Sequence, residues 1–253
     1  MNEPPAPTMS EVLVHGWRVA DKWPDPDALA LLDAAERERL SHITHPLQAA
    51  QFAAGRAGAR GILSRLLQVS PHDIRFGRAT CPECGSHHHG PPVIDRPETP
   101  FRISLSHSEG YCLFAIARVP VGVDVEGVRE MDTEELGRIA LTPAERRHVR
   151  SFPPGRARHR AFLRCWTRKE AVLKAVGTGI TGDLTTVETR PDVPGPATVT
   201  AGVAGTPGTW TLSDLATPGE WVATVAVPSR VPMTVHLHRP SAVSFSISSD
   251  HNQ

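Results

Sequence analysis

Three short segments of this 253-residue chain combine residue types that could do chemistry. The first is Gly122-Val123-Asp124-Val125-Glu126. In an extended segment residues two apart share a face, so Asp124 and Glu126 stand side by side and the valines turn the other way to be buried. Two adjacent carboxylates repel unless one is protonated or a cation neutralises them. A hard divalent ion such as Mg²⁺ suits them, because it takes oxygen ligands and is commonly held by one or two carboxylates. Acidic pairs at strand ends also occur without a metal, so this pair alone does not decide. The second segment is Trp166-Thr167-Arg168-Lys169-Glu170-Ala171-Val172-Leu173-Lys174. On a helix Glu170 and Lys174 are i,i+4 neighbours. Glu170 borders the apolar stripe of Trp166 and Leu173, where a carboxylate reaches a site between elements. The plain alternative is a surface ion pair worth about 0.2–0.5 kcal/mol. Against it stands the choice of lysine in a chain with 24 arginines and only three lysines, Lys22, Lys169 and Lys174. An ammonium point charge and a planar guanidinium are not interchangeable. The third segment, Ser104-Leu105-Ser106-His107-Ser108, is read as a turn between two strands, from which His107 could donate to a phosphate oxygen.

The elements that would carry these groups read as α+β. Ala28 to Leu40 predicts a short helix and Pro46 to Val69 a longer one, with Pro46 at its first position and Pro71 beyond its end. Ile74 to Phe76 is a brief strand candidate. A loop rich in Cys, Gly, His and Pro runs from Thr80 to Pro100, followed by strands over 101–105, 111–118 and 121–125, read as an antiparallel meander. Thr142-Pro143-Ala144-Glu145 is a capping box opening a helix that ends near Phe152. Arg158 to Val176 is a strong amphipathic helix with Gly177 as its cap. The remainder alternates in strand-like runs, best marked at 210–212, 221–227 and 233–237. Helix-then-strands occurs twice, which predicts two halves of similar size, 11–119 and 120–239, each a helix on a small antiparallel sheet. Residues 1–10 and 240–253 are expected to be disordered.

Composition narrows the function classes. Lys+Arg and Asp+Glu are both 27, so no global field draws the chain to nucleic acid or an anionic membrane. The apolar runs are too short to span a bilayer, and the N-terminus lacks the basic-then-apolar order of a signal peptide, so a cytoplasmic location is expected. The charge is uneven: Arg138 to Lys174 holds 11 basic and 2 acidic residues. Such a run is either a solvated helix surface or a docking face for an acidic partner. Four cysteines are too few for a disulfide scaffold. Cys112 and Cys165 read as buried thiols. Cys81-x-x-Cys84, followed by His87, His88 and His89, reads either as a loop turning at Gly85 or as a zinc site.

Taken in order and spacing, Ile103-Ser104-Leu105-Ser106-His107-Ser108, Gly122-Val123-Asp124-Val125-Glu126 and Trp166 through Lys174 resemble the Sfp-type 4′-phosphopantetheinyl transferases. The resemblance implies a pseudo-dimeric α+β fold of two similar halves and transfer of the phosphopantetheine arm of coenzyme A to a serine of an acyl or peptidyl carrier protein. Such proteins serve fatty acid, polyketide or nonribosomal peptide biosynthesis. The other product is adenosine 3′,5′-bisphosphate. It places Mg²⁺ on Asp124, Glu126 and Glu170, phosphate contacts on Lys174 and Lys169, and the 3′-phosphate end of the coenzyme on Ser106 and His107. Glu170 becomes the general base for the serine, and the basic segment a docking face for an acidic carrier protein on a monomeric enzyme. Two departures stand out. Gly90-Pro91-Pro92 stands where the family often has Gly-Lys-Pro, and Gln51 lies where relatives tend to have an arginine. Arg39, on the preceding helix, is assigned a compensating phosphate contact. The departures keep open a catalytically weak relative that binds carrier proteins or zinc as a regulatory module.

Overall fold

The computed structural model describes residues 6–19, 25–87, 90–178, 183–203, 206–230 and 232–239; Lys22, His88, His89, residues 1–5 and residues 240–253 lie outside them. In chain order the elements are β1 (Glu11–Arg18), α1 (Pro26–Ala30), α2 (Ala34–Ser41), α3 (Pro46–Leu67), β2 (Arg75–Arg78), β3 (Pro92–Arg96), β4 (Arg102–Ser108), β5 (Tyr111–Ala117) and β6 (Gly122–Gly127). Then follow α4 (Thr133–Ala140), α5 (Pro143–Arg150), α6 (Arg156–Val176), β7 (Ala197–Val203), β8 (Thr206–Asp214), β9 (Trp221–Pro228) and β10 (Thr234–His238). The α+β class is as the sequence predicts. One sheet has the order β10-β1-β5-β4, a second β6-β9-β8-β7, and β2 and β3 form a hairpin of their own. Helix α3 packs on β4 and β5 of the first sheet, and α6 on β6 and β9 of the second.

Local chemistry explains the long helices. Pro46 opens α3, whose buried side carries Ala49, Phe52, Ala53, Ile62 and Leu63, and the chain leaves it at Gln68 in the left-handed conformation, ahead of Pro71. Gly177 ends α6 in the left-handed conformation. The Thr142 capping box forms as read, with Glu145 returning to the Thr142 N–H at 2.9 Å.

Several expectations need correction. Ala28 to Leu40 is two helices, because Asp33 caps a new one through a capping box with Glu36. Strands β1 and β3 and helix α4 carried no signal strong enough to be read. Residues 6–10, expected to be disordered, lead into β1; Arg118 Nε donates to the Pro7 carbonyl at 2.9 Å and the Thr234 N–H to the Ser10 carbonyl at 2.9 Å. Strand β10 returns to pair parallel with β1, so the first sheet is not wholly antiparallel and contains the last strand of the chain. The meander breaks after β5, since β6 joins the other sheet.

That break makes the joint. Val123 and Val125 of β6 turn into a core with Val12, Val14, Tyr111, Leu113, Trp221 and Val225, which the two four-stranded sheets share. The opposite face of β6 meets α6 so closely that a Cβ on Gly122 would lie 1.9 Å from the Ala171 carbonyl oxygen and 2.6 Å from the Ala175 nitrogen. Backbone cannot yield as a flexible side chain does. Gly122→Ala is expected to cost about 3 kcal/mol of stability, the upper part of the range for overpacking, and urea unfolding checks it.

Candidate active site

Strand β4 is the edge of one sheet and β6 the edge of the other. An edge strand leaves every second N–H without a ladder partner. Here a row of serines takes that place. Ser104, Ser106 and Ser108 alternate along β4 onto one face, and their hydroxyls accept from the N–H groups of Val123 (3.0 Å), Val125 (3.4 Å) and Gly127 (3.2 Å). The same hydroxyls reach the carboxylates between those amides: Ser106 Oγ donates to Asp124 Oδ1 at 2.8 Å and Ser108 Oγ to Glu126 Oε2 at 2.8 Å. The period of two on each strand brings serines and carboxylates into register.

Helix α6 closes the cluster from above. Lys174 Nζ donates to Asp124 Oδ1 (2.7 Å), Ser106 Oγ (3.0 Å) and the Val123 carbonyl (3.2 Å). One turn earlier Glu170 is buried beside Asp124. Burial raises the Glu170 carboxyl to about 7; the Asp124 charge adds to the rise and Lys174 opposes it. Burial likewise pushes Asp124 up, against the pull of Lys174 and Ser106. Glu126 is less buried and pairs with Arg129 at 2.9 Å.

The donor set fits a hard cation. Asp124 Oδ2 and Glu170 Oε1 are buried without a hydrogen-bond partner. Orphaned buried acceptors of this kind cost about 1–3 kcal/mol each, which a bound cation would relieve. The carboxylates are neighbours but not drawn together, since no three metal-ligating side chains converge among the described residues.

On the other side of β4 lies a basic cleft of about 270 Å³. His107 lines it, together with Arg39 of α2, Arg56 of α3, Arg78 of β2, Pro91 and the flank of Lys174. Burial is the main reason the Arg56 charge is disfavoured; Glu36 offsets it, while Arg39, Arg60 and Arg78 add repulsion. His107 is held below the usual imidazole range, first by burial and then by Lys174 and Arg39. Cations crowded this way favour an anionic occupant.

The predicted residues therefore divide. Asp124, Glu126, Glu170 and Lys174 come together. His107 and Arg39 line the cleft, but His107 sits within β4; the turn is at Glu109 and Gly110. Ser106, expected at the 3′-phosphate end, points instead to the carboxylates, because adjacent residues of a strand face opposite ways. Lys169, expected on a phosphate, is fully buried away from the cleft. It pairs with Glu145 at 2.8 Å and donates to the carbonyls of Leu184 (2.8 Å) and Val187. A compact ammonium fits such a pocket of oxygens, which accounts for lysine there without any ligand. Lys169→Met is expected to destabilise the fold by about 3–5 kcal/mol, the cost of stranding one partner of a buried pair. Its folded fraction should keep an unchanged KM for the phosphate-bearing substrate, so thermal unfolding beside steady-state kinetics separates the two roles.

Arg56 and Arg78 were missed as cleft residues. They sit on different elements and share no spacing; the only available signal was the surplus of arginine. Gln51 has a structural task, its amide oxygen accepting from the N–H groups of Glu109 (3.1 Å) and Gly110 (2.6 Å). Much of the basic segment is also engaged internally. Arg164 and Arg168 bind Asp214, Arg150 binds Glu134, and Arg156 and Arg160 donate to the Gly219 carbonyl. Cys112 and Cys165 are buried as predicted, and burial pushes both thiols up.

A buried carboxylate cluster and a cationic cleft, separated by one strand at the joint of two sheets, define the class of protein to compare. Residues 120–226 match the model of the 4′-phosphopantetheinyl transferase superfamily. The chain is 32% identical over 232 residues to the 4′-phosphopantetheinyl transferase HetI of Nostoc sp., covering 89% of this chain and 92% of that one. It is 24% identical over 163 residues to the 4′-phosphopantetheinyl transferase Sfp of Bacillus subtilis, covering 64% and 67%. Against the L-aminoadipate-semialdehyde dehydrogenase-phosphopantetheinyl transferase of Homo sapiens the identity is 25% over 177 residues, covering 64% and 53%. The chain belongs to the 4′-phosphopantetheinyl transferase superfamily and is an enzyme of that type. No helix among the described residues is long and apolar enough to cross a membrane.

Proposed function

We propose that this enzyme takes the 4′-phosphopantetheine arm from coenzyme A and places it on a serine hydroxyl of an acyl or peptidyl carrier protein in the cytoplasm, acting as a monomer with Mg²⁺. The observation that carries the reading is the pair of orphaned oxygens, Asp124 Oδ2 and Glu170 Oε1, beside a lysine that also borders the basic cleft. Asp124, Glu126 and Glu170 would hold the ion. Bound there, Mg²⁺ supplies charge neutralisation for the pyrophosphate.

The chain's own groups do the rest. Arg39, Arg56, Arg78 and His107 bind the phosphate-rich end of the coenzyme, three guanidiniums standing in for the absent lysine at Pro91. This supports the transferase over the binding-only alternative. Lys174 leaves Asp124 for a pyrophosphate oxygen and offsets charge developing there. Glu170 takes the serine proton; its carboxyl near 7 places it in the working range of a general base. The serine oxygen forms its bond to the phosphorus on the pantetheine side, the bridging phosphoanhydride bond breaks, and adenosine 3′,5′-bisphosphate leaves. The acidic carrier meets α4 and α5, where Arg138, Arg147 and the exposed Ile139 remain available.

Intact-mass spectrometry of an apo carrier protein, incubated with the enzyme, coenzyme A and Mg²⁺, tests this. The expected result is a mass gain of one phosphopantetheine, lost when EDTA is added. No gain on several carrier proteins with a folded enzyme would refute it.

A further inference from the structure

Between β2 and β3 the chain makes a closed loop that the transfer chemistry does not use. Its neck is tight. The Ala79 N–H donates to the Pro91 carbonyl at 2.9 Å and Arg78 Nη1 to the Gly90 carbonyl at 2.9 Å. A Cβ on Gly90 would lie 1.8 Å from the Ala79 oxygen, so only glycine lets the two limbs touch. Further in, the Cys81 N–H donates to the Ser86 carbonyl at 2.8 Å and the Gly85 N–H to the Cys81 carbonyl at 2.9 Å. His87 lies opposite Thr80, with Nδ1 and Oγ1 3.4 Å apart, one residue along from the Cys81–Ser86 pair.

The sulfurs are the unexplained part. Cys81 is 1% exposed, yet its sulfur accepts from the backbone N–H groups of Cys84 and Glu83 and from the Cys84 side chain. Cys112, equally enclosed, has only a long contact from its own thiol to the Gln51 carbonyl, and burial drives its thiol up. The Cys81 thiol moves the opposite way. Two N–H dipoles aimed at one sulfur stabilise a thiolate, and a packed apolar cysteine has no need of them. Cys84 is exposed, neither residue is in a disulfide, and their side chains already meet.

We propose that Cys81, Cys84 and His87 form a site for a zinc ion, with solvent completing its shell. Two thiolates and an imidazole are the soft and borderline donors that favour zinc over the hard ion suited to the carboxylate cluster. The three donors do not converge among the described residues, so binding turns His87 from Thr80 toward the sulfurs. The ion would brace the loop whose two ends, Arg78 and Gly90 to Pro92, line the basic cleft. The site stands independently of the transferase reaction.

The test is a cobalt(II) titration of the full, reduced and metal-stripped chain, followed by optical absorption. The expected result is thiolate-to-cobalt charge transfer in the near ultraviolet with tetrahedral d–d bands, saturating at about one equivalent and displaced by zinc. Cys84→Ser, at an exposed position that cannot compromise the core, should abolish the charge-transfer band, as should Cys81→Ser where circular dichroism shows it folded. His87→Ala should weaken cobalt binding at least roughly tenfold. Asp124→Asn should leave the bands intact, separating this site from the carboxylates. Absence of sulfur-to-cobalt absorption in the reduced wild type overturns the proposal, as do bands that survive Cys84→Ser. A Cys81–Cys84 disulfide that forms in air equally fast with and without zinc also overturns it, in favour of a redox pair.

Discussion

Glu170→Gln is expected to lower the rate of phosphopantetheine transfer by roughly 10²–10⁴-fold, the range a general base contributes. The amide has nearly the shape of the acid but can neither accept the serine proton nor lend a negative charge to a cation. Stability should move little, or upward. Burial already holds the Glu170 carboxyl at about 7, so the fold favours the neutral form, and glutamine is neutral at every pH. The sign follows: a carboxyl raised in the folded state stabilises below its unfolded value near 4.5 and loses that contribution as pH rises through about 7. The metal-free wild type should therefore lose some stability between these values, and Glu170→Gln should not. Single-turnover kinetics beside thermal unfolding across pH reads both effects. A variant that transfers at the wild-type rate would remove Glu170 from the chemistry. Calorimetric titration with Mg²⁺ separates loss of the ion from loss of the base.

The second large effect belongs to the cleft. Arg56→Gln combined with Arg78→Gln is expected to weaken coenzyme A binding by about 100-fold or more with a much smaller change in kcat. A hydrogen bond to a charged group contributes about 1.5–3 kcal/mol, and each 1.4 kcal/mol is tenfold. Two lost contacts at the lower figure already reach that value. Both residues are remote from the bond that breaks, so the loss should be in ground-state binding. The effect should also shrink as salt rises, because the cleft is partly open and its field is screened. Arg39 and His107 stay in place in this variant and set its residual affinity. An unchanged KM would mean that the phosphate-rich end of the coenzyme lies elsewhere and that Pro91 marks a real loss.

The two effects rest on opposite faces of one strand. Side chains of β4 alternate, so Ser104, Ser106 and Ser108 serve the carboxylates while His107 serves the cleft. Lys174 reaches both, and it is the residue through which phosphate binding and the carboxylate cluster communicate.

Read alone, the sequence determined whatever depends on spacing within a few residues. The side-by-side carboxylates of Asp124 and Glu126, the shared helix of Glu170 and Lys174, the Thr142 capping box, the burial of Val123 and Val125 and the α+β class all follow from backbone periods of two and 3.6. The family was legible in the same segments. Tertiary structure alone decided what depends on elements distant in sequence. The serine ladder exists because two sheet edges meet. The arginines converge from α2, α3 and β2, which share no period. Lys169, one residue from Glu170, belongs to a buried pair with Glu145 because neighbours on a helix point about 100° apart. Strand β10 pairs with β1 across nearly the whole chain. Local pattern encodes which face a residue takes; only packing, through buried area and satisfied polar groups, selects what that face meets.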